Sequence, residues 1–223
     1  MTKPGAFIVI EGIDGSGTTT QAAMLAAKFR ESGSQVVVTN EPSSGPVGSL
    51  IRLALTRRVV GASGDVHGAD PSHADGAPAS VDPTTIALLY AADRIDHVRT
   101  VVEPARNAGR HVISDRYLLS SLAYQGMTHD AKWVLSINSH APKPDLTIFL
   151  EIDVDTALER MRRSRWTRDV FEHRDVQVAV RDRYEQAISA HAAQLGRIEK
   201  VNAARSPEEV AADVWRVTQS LSH

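Results

Sequence analysis

A strand, a glycine-rich turn and a helix follow one another near the start of the chain. Residues 6–11, AFIVIE, are apolar and rich in β-branched side chains, which is typical of a strand covered on both faces. The turn GIDGSG occupies residues 12–17, and the alanine-rich stretch from Thr18 to Gly33 has the composition of a helix. In this order of elements, the turn amides and the helix N-terminus face one point and attract phosphate. The sequence therefore predicts an α/β fold with a phosphate-binding loop at residues 12–19.

The loop departs from the usual pattern G-x-x-x-x-G-K-[ST] at one position. Gly12, Gly17 and Thr19 match it, whereas Thr18 stands where lysine is usual. We expect the Thr19 hydroxyl to hold Mg²⁺ between the phosphates of ATP, although a glycine turn without a ligand is the alternative. Losing the lysine charge lowers a rate roughly a hundred- to thousandfold unless another cation replaces it. The residues that we expect to bind ATP are Gly12, Ile13, Asp14, Gly15, Ser16, Gly17, Thr18, Thr19 and Thr20.

An arginine cluster is the candidate source of that cation. The run RMRRSRWTRD occupies residues 160–169 and follows a helical pattern. Arginine binds phosphate through a planar fork, and arginines that reach in from a lid stabilise phosphoryl transfer. We therefore predict a small mobile lid over about residues 160–172, with Arg163, Arg165 and Arg168 in catalytic roles. The alternative is ordinary charge on a solvated helix surface.

The remaining chain alternates strands with helices. Further buried strands are predicted in SQVVVTN, RHVISDRY, PDLTIFLEID and GRIEKVNA, and a Ser-x-x-Glu capping box opens the last helix at Ser206. This alternation predicts a three-layer P-loop NTPase-type fold, in which a parallel five-stranded sheet has helices on both faces.

One stretch interrupts the alternation without ending the domain. Residues 60–83 are rich in Gly, Ala, Ser, Pro, His and Asp and have almost no large apolar side chain, so burial cannot offset their ordering entropy. We predict a flexible insertion within one domain over residues 1–223. Its histidines, His67 and His73, could be imagined as metal ligands, but their spacing favours a solvated loop.

Composition excludes several classes of function. The chain has no cysteine, which rules out disulfides and thiolate chemistry, and its net charge of −2 argues against a nucleic-acid partner. The first apolar run is too short for a membrane span or a signal-peptide core. We expect a cytoplasmic protein without a membrane partner.

An acidic and a basic residue end the third predicted strand. Asp115 and Arg116 lie at the carboxyl edge of the parallel sheet, where ligands bind. We expect Asp115 to hold Mg²⁺ through water and Arg116 to bind the phosphate of a second substrate. A structural ion pair is the alternative.

Six segments follow one another along the chain: EGIDGSGTTTQ, NEPSSGPVGSLIR, LLYAADR, SDRYLLSSLAYQG, PDLTIFLEID and VNAARSPEEV. Taken in this order, they resemble the thymidylate kinases, which transfer the γ-phosphate of ATP to dTMP in dTTP synthesis. The resemblance implies a P-loop core with a lid, Mg²⁺ as cofactor, ATP and dTMP as substrates, and a homodimer. It also implies that Asn202 and Ala203 line the adenine pocket.

The resemblance further assigns residues to the base and the sugar of dTMP. Tyr90 corresponds to an aromatic ring that stacks on thymine. Tyr124 would lie beside the deoxyribose, where its bulk disfavours a 2′-hydroxyl, and Ser121 and Gln125 would reach the base edge.

Charged residues are assigned to the phosphates. Arg94 and Arg116 match the arginines that grip the dTMP phosphate, while Asp14 and Glu41 match acidic positions near the transferring phosphoryl group and its Mg²⁺. Asp14 is thus a candidate catalytic residue, and Glu41 counts among the dTMP-binding residues.

The chain also departs from the family pattern. Besides Thr18, Asn40 replaces an arginine of the bacterial Arg-Glu-Pro-Gly-Gly-Thr pattern, and Ser43 and Ser44 replace glycines. The arginine-rich lid resembles the bacterial arrangement, in which the lid supplies the catalytic cation. Two alternatives to a dTMP kinase follow: a catalytically impaired nucleotide-binding homologue, or a kinase for another nucleotide or a deoxynucleoside.

Overall fold

The computed structural model describes residues 3–59, 80–164 and 170–221, with only the backbone of Ser164 and of residues 170–173. Its strands are β1 Phe7–Glu11, β2 Val36–Asn40, β3 His111–Asp115, β4 Leu146–Glu151 and β5 Ile198–Asn202. Its helices are α1 Thr18–Glu31, α2 Pro46–Leu55, α3 Pro83–His97, α4 Glu103–Asn107, α5 Leu118–Tyr124, α6 Ala131–Ile137, α7 Val154–Ser164, α8 Val170–Leu195 and α9 Pro207–Thr218. Short 3₁₀ turns follow α5 and α9, at Gln125–Met127 and Gln219–Leu221.

The five strands form one parallel sheet in the order β2-β3-β1-β4-β5, which confirms the predicted fold class. In the register of the sheet, Asp115 pairs with Ile10 of β1 and with Asn40 of β2. The carboxyl ends of the three strands therefore meet at one edge, where the phosphate-binding loop leaves β1.

Helices cover both faces of the sheet. Every residue of β1 is buried, and its side chains alternate between two apolar clusters, as the two-residue period of a strand requires. Ile8 and Ile10 belong to the larger cluster, which includes residues of α1, α8 and α9. On the opposite face of the sheet, Phe7 and Val9 pack in the smaller cluster, together with Val98, Val102 and Ala105. This is the three-layer arrangement that the continuous apolar strands predict.

The helix boundaries follow local signals in the sequence. Asp82 caps α3 by accepting from the Thr84 and Thr85 amides at 2.9 and 3.1 Å, so α3 begins at the last residue of the predicted insertion. A π-helical turn, Val98–Val102, joins α3 to α4 just before Pro104, whose ring nitrogen cannot donate. The predicted capping box at Ser206 is confirmed.

Some sequence predictions lie outside the described residues. These are most of the insertion, with His67 and His73, and the lid arginines Arg165 and Arg168. Across the ranges that are described, no helix combines the length and apolarity needed to cross a bilayer.

Candidate active site

The phosphate-binding loop is a tight turn held between β1, α1 and α7. Gly15 and Gly17 have φ of +82° and +98°, a backbone region that favours glycine. A Cβ added to Gly15 would lie 2.3 Å from the carbonyl oxygen of Ala157 on α7, so no side chain fits there. Gly17 precedes the first residue of α1, Thr18, which is buried. The residues predicted to cradle phosphate therefore form the expected strand–turn–helix unit.

The two side chains predicted to bind Mg²⁺ meet beside this loop. The Thr19 hydroxyl donates a hydrogen bond to Oδ2 of Asp115. The other carboxylate oxygen of Asp115 is buried and has no hydrogen-bond partner in the described part of the chain. A hydroxyl and a carboxylate with a free oxygen suit Mg²⁺, which prefers hard oxygen ligands. The two residues predicted as metal ligands thus fit that ion.

Arg116 connects the loop with a neighbouring cavity. Its Nη2 donates to Oδ1 of Asp14 at 2.7 Å, and its Nη1 donates to the hydroxyl of Tyr184 at 3.1 Å. Its backbone has φ of +72°, which is strained for a residue with a side chain. The guanidinium lies 5.4 Å from the ring centroid of Tyr124. A cation is therefore held where the loop opens into the cavity.

The cavity contains all seven residues that the family resemblance assigns to dTMP. It has a volume of about 630 Å³. Those seven lining residues are Glu41, Tyr90, Arg94, Arg116, Ser121, Tyr124 and Gln125. Asp14 also lines it, and the buried Oε1 of Gln125 has no partner among the described residues. Leu55, Val81 and Ile86 form an apolar part of the wall, which the sequence analysis did not identify.

Arg94 and Arg116 have separate sets of partners. Arg94 is 1% exposed, and its Nε donates to Glu41 at 2.9 Å while its Nη2 donates to the Ser121 hydroxyl at 2.9 Å. Its Nη1 donates to Asn138, the residue after the end of α6. The resemblance assigns both arginines to one phosphate, but in the structure Arg94 lies beside Ser121, at the predicted base edge.

A network of buried polar groups supports these residues and was missed in the sequence analysis. Glu11 is fully buried; its Oε1 accepts from the backbone amides of Tyr117 and Ser120 at 2.8 and 3.1 Å. Burial raises the pKa of Glu11 to about 6. Nδ1 of His97 donates to Oε1 of Glu41 at 3.1 Å, while Arg94 pairs with the other oxygen of the same carboxylate. The one feature of the sequence that could have indicated Glu11 is its position as a charged residue at the end of a buried strand. No feature of the sequence indicated His97.

The predicted adenine residues Asn202 and Ala203 follow one another at the end of β5, and two of the predicted lid arginines, Arg160 and Arg163, lie on α7. Ala203 is buried, and its amide donates to the carbonyl oxygen of Glu151 at 2.8 Å. The side-chain oxygen of Asn202 accepts a hydrogen bond from the backbone amide of Ala204. Arg160 of α7 donates to the Arg205 carbonyl at 2.9 Å. Arg163 is exposed on α7, and its Nε donates to Oε1 of Glu159 at 3.1 Å.

Comparisons with known proteins agree on one family. The sequence model of the family described as thymidylate kinase matches residues 10–63 and 78–214. The chain is 38% identical to a probable thymidylate kinase of Pyrococcus horikoshii over 211 residues, which is 94% of each chain. It is 41% identical to a probable thymidylate kinase of Pyrobaculum aerophilum, again over 94% of each chain. It is 40% identical to a thymidylate kinase of Leifsonia xyli, over 95% of this chain and 93% of that one.

Proposed function

Because the chain belongs to the thymidylate kinase family, we propose that it transfers the γ-phosphoryl group of ATP to dTMP as a step of dTTP synthesis. The observation that carries this proposal is the position of Arg116. It contacts Asp14 of the phosphate-binding loop and also lines the cavity that contains the residues expected to bind dTMP. One cation thus lies between the expected positions of the donor and acceptor phosphates.

The hydrogen-bond partners of Arg116 and Arg94 indicate which arginine would bind the phosphate of dTMP and which would lie beside its base. Arg116 would bind the acceptor phosphate, since it lies nearest the loop. Arg94 would border the base, because it donates to Ser121. Tyr90 would stack on thymine; burial raises the pKa of its phenol, so the ring stays neutral. Gln125 would reach the base edge with its Oε1, which has no hydrogen-bond partner in the described part of the chain, and Tyr124 would crowd a 2′-hydroxyl.

The loop residues 12–20 would hold the ATP phosphates, and Asn202 and Ala203 would line the adenine pocket. Thr19 and Asp115 would hold Mg²⁺, directly or through water. When bound, the ion neutralises negative charge on the phosphates.

The transfer would be direct, with the acceptor phosphate oxygen in line with the leaving ADP. No covalent enzyme intermediate is involved, so positioning and charge neutralisation carry the catalysis. Arg116 would orient the acceptor, and Asp14 would lie next to the transferred group. Arg163, Arg165 and Arg168 would supply the cation that Thr18 does not, when the lid closes and excludes water.

We also propose a cytoplasmic homodimer. Exposed leucines on neighbouring helices support this assembly: Leu50 and Leu53 of α2 and Leu88 of α3 are 38–48% exposed. Sedimentation of wild-type protein and of a Leu53→Glu variant tests this. A wild-type protein that sediments as a monomer at micromolar concentration would refute it.

The activity is tested by ADP release from MgATP with dTMP, dUMP, dGMP or no acceptor. We expect rapid release with dTMP and background release without acceptor. Tight ATP binding without release for any acceptor would instead indicate a catalytically impaired homologue, and Thr18→Lys would then test whether the missing lysine is the cause.

The role of the lid is tested separately. Arg163→Ala, Arg165→Ala and Arg168→Ala are compared with Arg216→Ala, whose side chain is 73% exposed on α9. We expect at least one lid variant to lose roughly a hundredfold in kcat and the α9 variant to lose nothing. Three lid variants with wild-type turnover would exclude the lid as the source of the cation.

A further inference from the structure

A buried tyrosine hydroxyl lies in contact with Arg116. Tyr184 of α8 is completely buried, and its oxygen accepts from Nη1 of Arg116 at 3.1 Å. The same oxygen lies 2.8 Å from the Ser120 hydroxyl, 3.1 Å from Oε2 of Glu11 and 3.2 Å from the carbonyl oxygen of Gly12. It therefore joins the start of the loop, the first turn of α5 and the arginine that faces the acceptor.

The available donors and acceptors define the hydrogen bonds in this cluster. Ser120 donates its hydrogen to Oε2 of Glu11 at 2.5 Å. Tyr184 has one hydrogen, which it gives to Glu11, to the Gly12 carbonyl or to the Ser120 oxygen, and its lone pairs remain for Arg116. Burial raises the pKa of Tyr184 well above its usual range, so the hydroxyl keeps its proton at neutral pH.

The orientation of Arg116 depends on few contacts. Asp14 holds Nη2, whereas Nη1 contacts hydroxyl groups: that of Tyr184, and that of Ser120 at 3.3 Å. Guanidinium binds phosphate best through two parallel N–H donors, so the plane of the group must be correct. An acceptor phosphate that competes with Asp14 for Nη2 leaves the two hydroxyls and the Tyr124 ring to hold that plane.

We propose that Tyr184 is a positioning residue whose hydroxyl holds the guanidinium of Arg116 in the orientation that binds the acceptor phosphate. The inference rests on the proposed function and adds a residue that lies outside every motif of the sequence. The ring of Tyr184 has a separate structural role, because it packs against Phe149 with centroids 5.2 Å apart. Removing the hydroxyl alone separates the two roles.

The test is Tyr184→Phe, with KM and kcat measured for each substrate. Losing one hydrogen bond to a charged group should raise the KM for dTMP roughly tenfold, while the KM for MgATP changes less than twofold. Thr218→Val is the control, since it removes a buried hydroxyl of α9 whose one partner among the described residues is the Trp215 carbonyl; we expect both KM values to stay at wild type. An unchanged KM for dTMP in Tyr184→Phe, or equal increases in both KM values, would overturn the proposal.

A double-mutant cycle tests whether Tyr184 acts through Arg116. Calorimetric binding of dTMP is compared for Arg116→Ala, Tyr184→Phe and the double variant. We expect the double variant to bind no more weakly than Arg116→Ala; additive losses would mean that Tyr184 acts by another route. If Tyr184→Phe does not fold, Ser120→Ala removes the other hydroxyl at Nη1, and an unchanged affinity for dTMP there would count against the hydroxyl contacts.

The wild-type measurements separate this inference from the proposed function. If wild-type protein neither binds nor phosphorylates dTMP, the proposed function fails and the inference fails with it. If the wild type phosphorylates dTMP and Tyr184→Phe does so with an identical KM, only the inference fails.

Discussion

The strongest stability prediction concerns the buried ion pair between Arg94 and Glu41. The side chains are 1% and 3% exposed, and their nearest charged atoms are 2.7 Å apart. Glu41→Gln removes the negative charge and keeps one carbonyl oxygen. In the wild-type protein, Arg94 and His97 each contact one oxygen of the Glu41 carboxylate. In the variant, one of these two side chains contacts the remaining carbonyl oxygen, and the other faces the amide NH₂ group of the glutamine. The variant therefore leaves a buried guanidinium without its counter-charge.

The expected loss is large compared with the stability of a domain. Unit charges 4 Å apart attract by about 4 kcal/mol at an effective dielectric of about 20, and breaking a buried pair typically destabilises by about 3–5 kcal/mol. A whole domain has a free energy of unfolding of about 5–15 kcal/mol. We therefore expect Glu41→Gln to lower the free energy of unfolding by about 3–5 kcal/mol, measured by urea denaturation at pH 7 and fixed protein concentration.

The matched control is an exposed pair on α7. Glu159 pairs with Arg163 at side-chain exposures of 49% and 78%, so Glu159→Gln should change the free energy of unfolding by less than about 1 kcal/mol. A double variant, Glu41→Gln with Arg94→Met, removes the stranded charge and should be more stable than Glu41→Gln alone. A loss below about 1 kcal/mol for Glu41→Gln would refute the view that this pair is fully desolvated.

Two further predictions concern the loop and its supports. Gly15→Ala should weaken ATP binding more than tenfold, because φ of +82° costs roughly 1–2 kcal/mol with a side chain and the new Cβ meets the Ala157 carbonyl. Gly33→Ala is the control: Gly33 has the same φ of +82°, but its added Cβ would meet no atom within 4 Å. We expect this control variant to keep the wild-type affinity for ATP. If both variants bind ATP equally well, the close contact with α7 is not the reason why position 15 requires glycine. Glu11 has its pKa raised from 4.5 to about 6 by burial, so its stabilising contribution is complete below about pH 4.5 and falls as pH rises through about 6. Relative to wild type, Glu11→Gln should therefore gain about 2 kcal/mol of unfolding free energy between pH 4.5 and 7, and a pH-independent difference between the two urea curves would contradict this.

The fold could be predicted because its signals are local. Strand β1, the glycine turn and α1 are adjacent in sequence, and the buried strands are continuous apolar runs. The cavity residues followed from family motifs, since composition alone does not bring Tyr90 and Arg116 together. The support network could not be predicted in this way. Glu11 and Tyr184 are 173 positions apart, and a tyrosine within a helix indicates burial but not its hydrogen-bond partner.

Several features that destabilise a fold lie around this cavity. Arg116 adopts φ of +72° without being glycine, at a cost of order 1–3 kcal/mol. Arg94 and Glu41 are desolvated together, and Glu11 is a fully buried carboxyl group. Arg116, Arg94 and Glu41 line the cavity, and Glu11 caps the helix from which Ser120 and Ser121 line it. Strained or buried charged groups that persist at a single place are expected where function constrains the sequence. Their positions therefore support this cavity as the active site independently of the phosphate-loop motif and of its missing lysine.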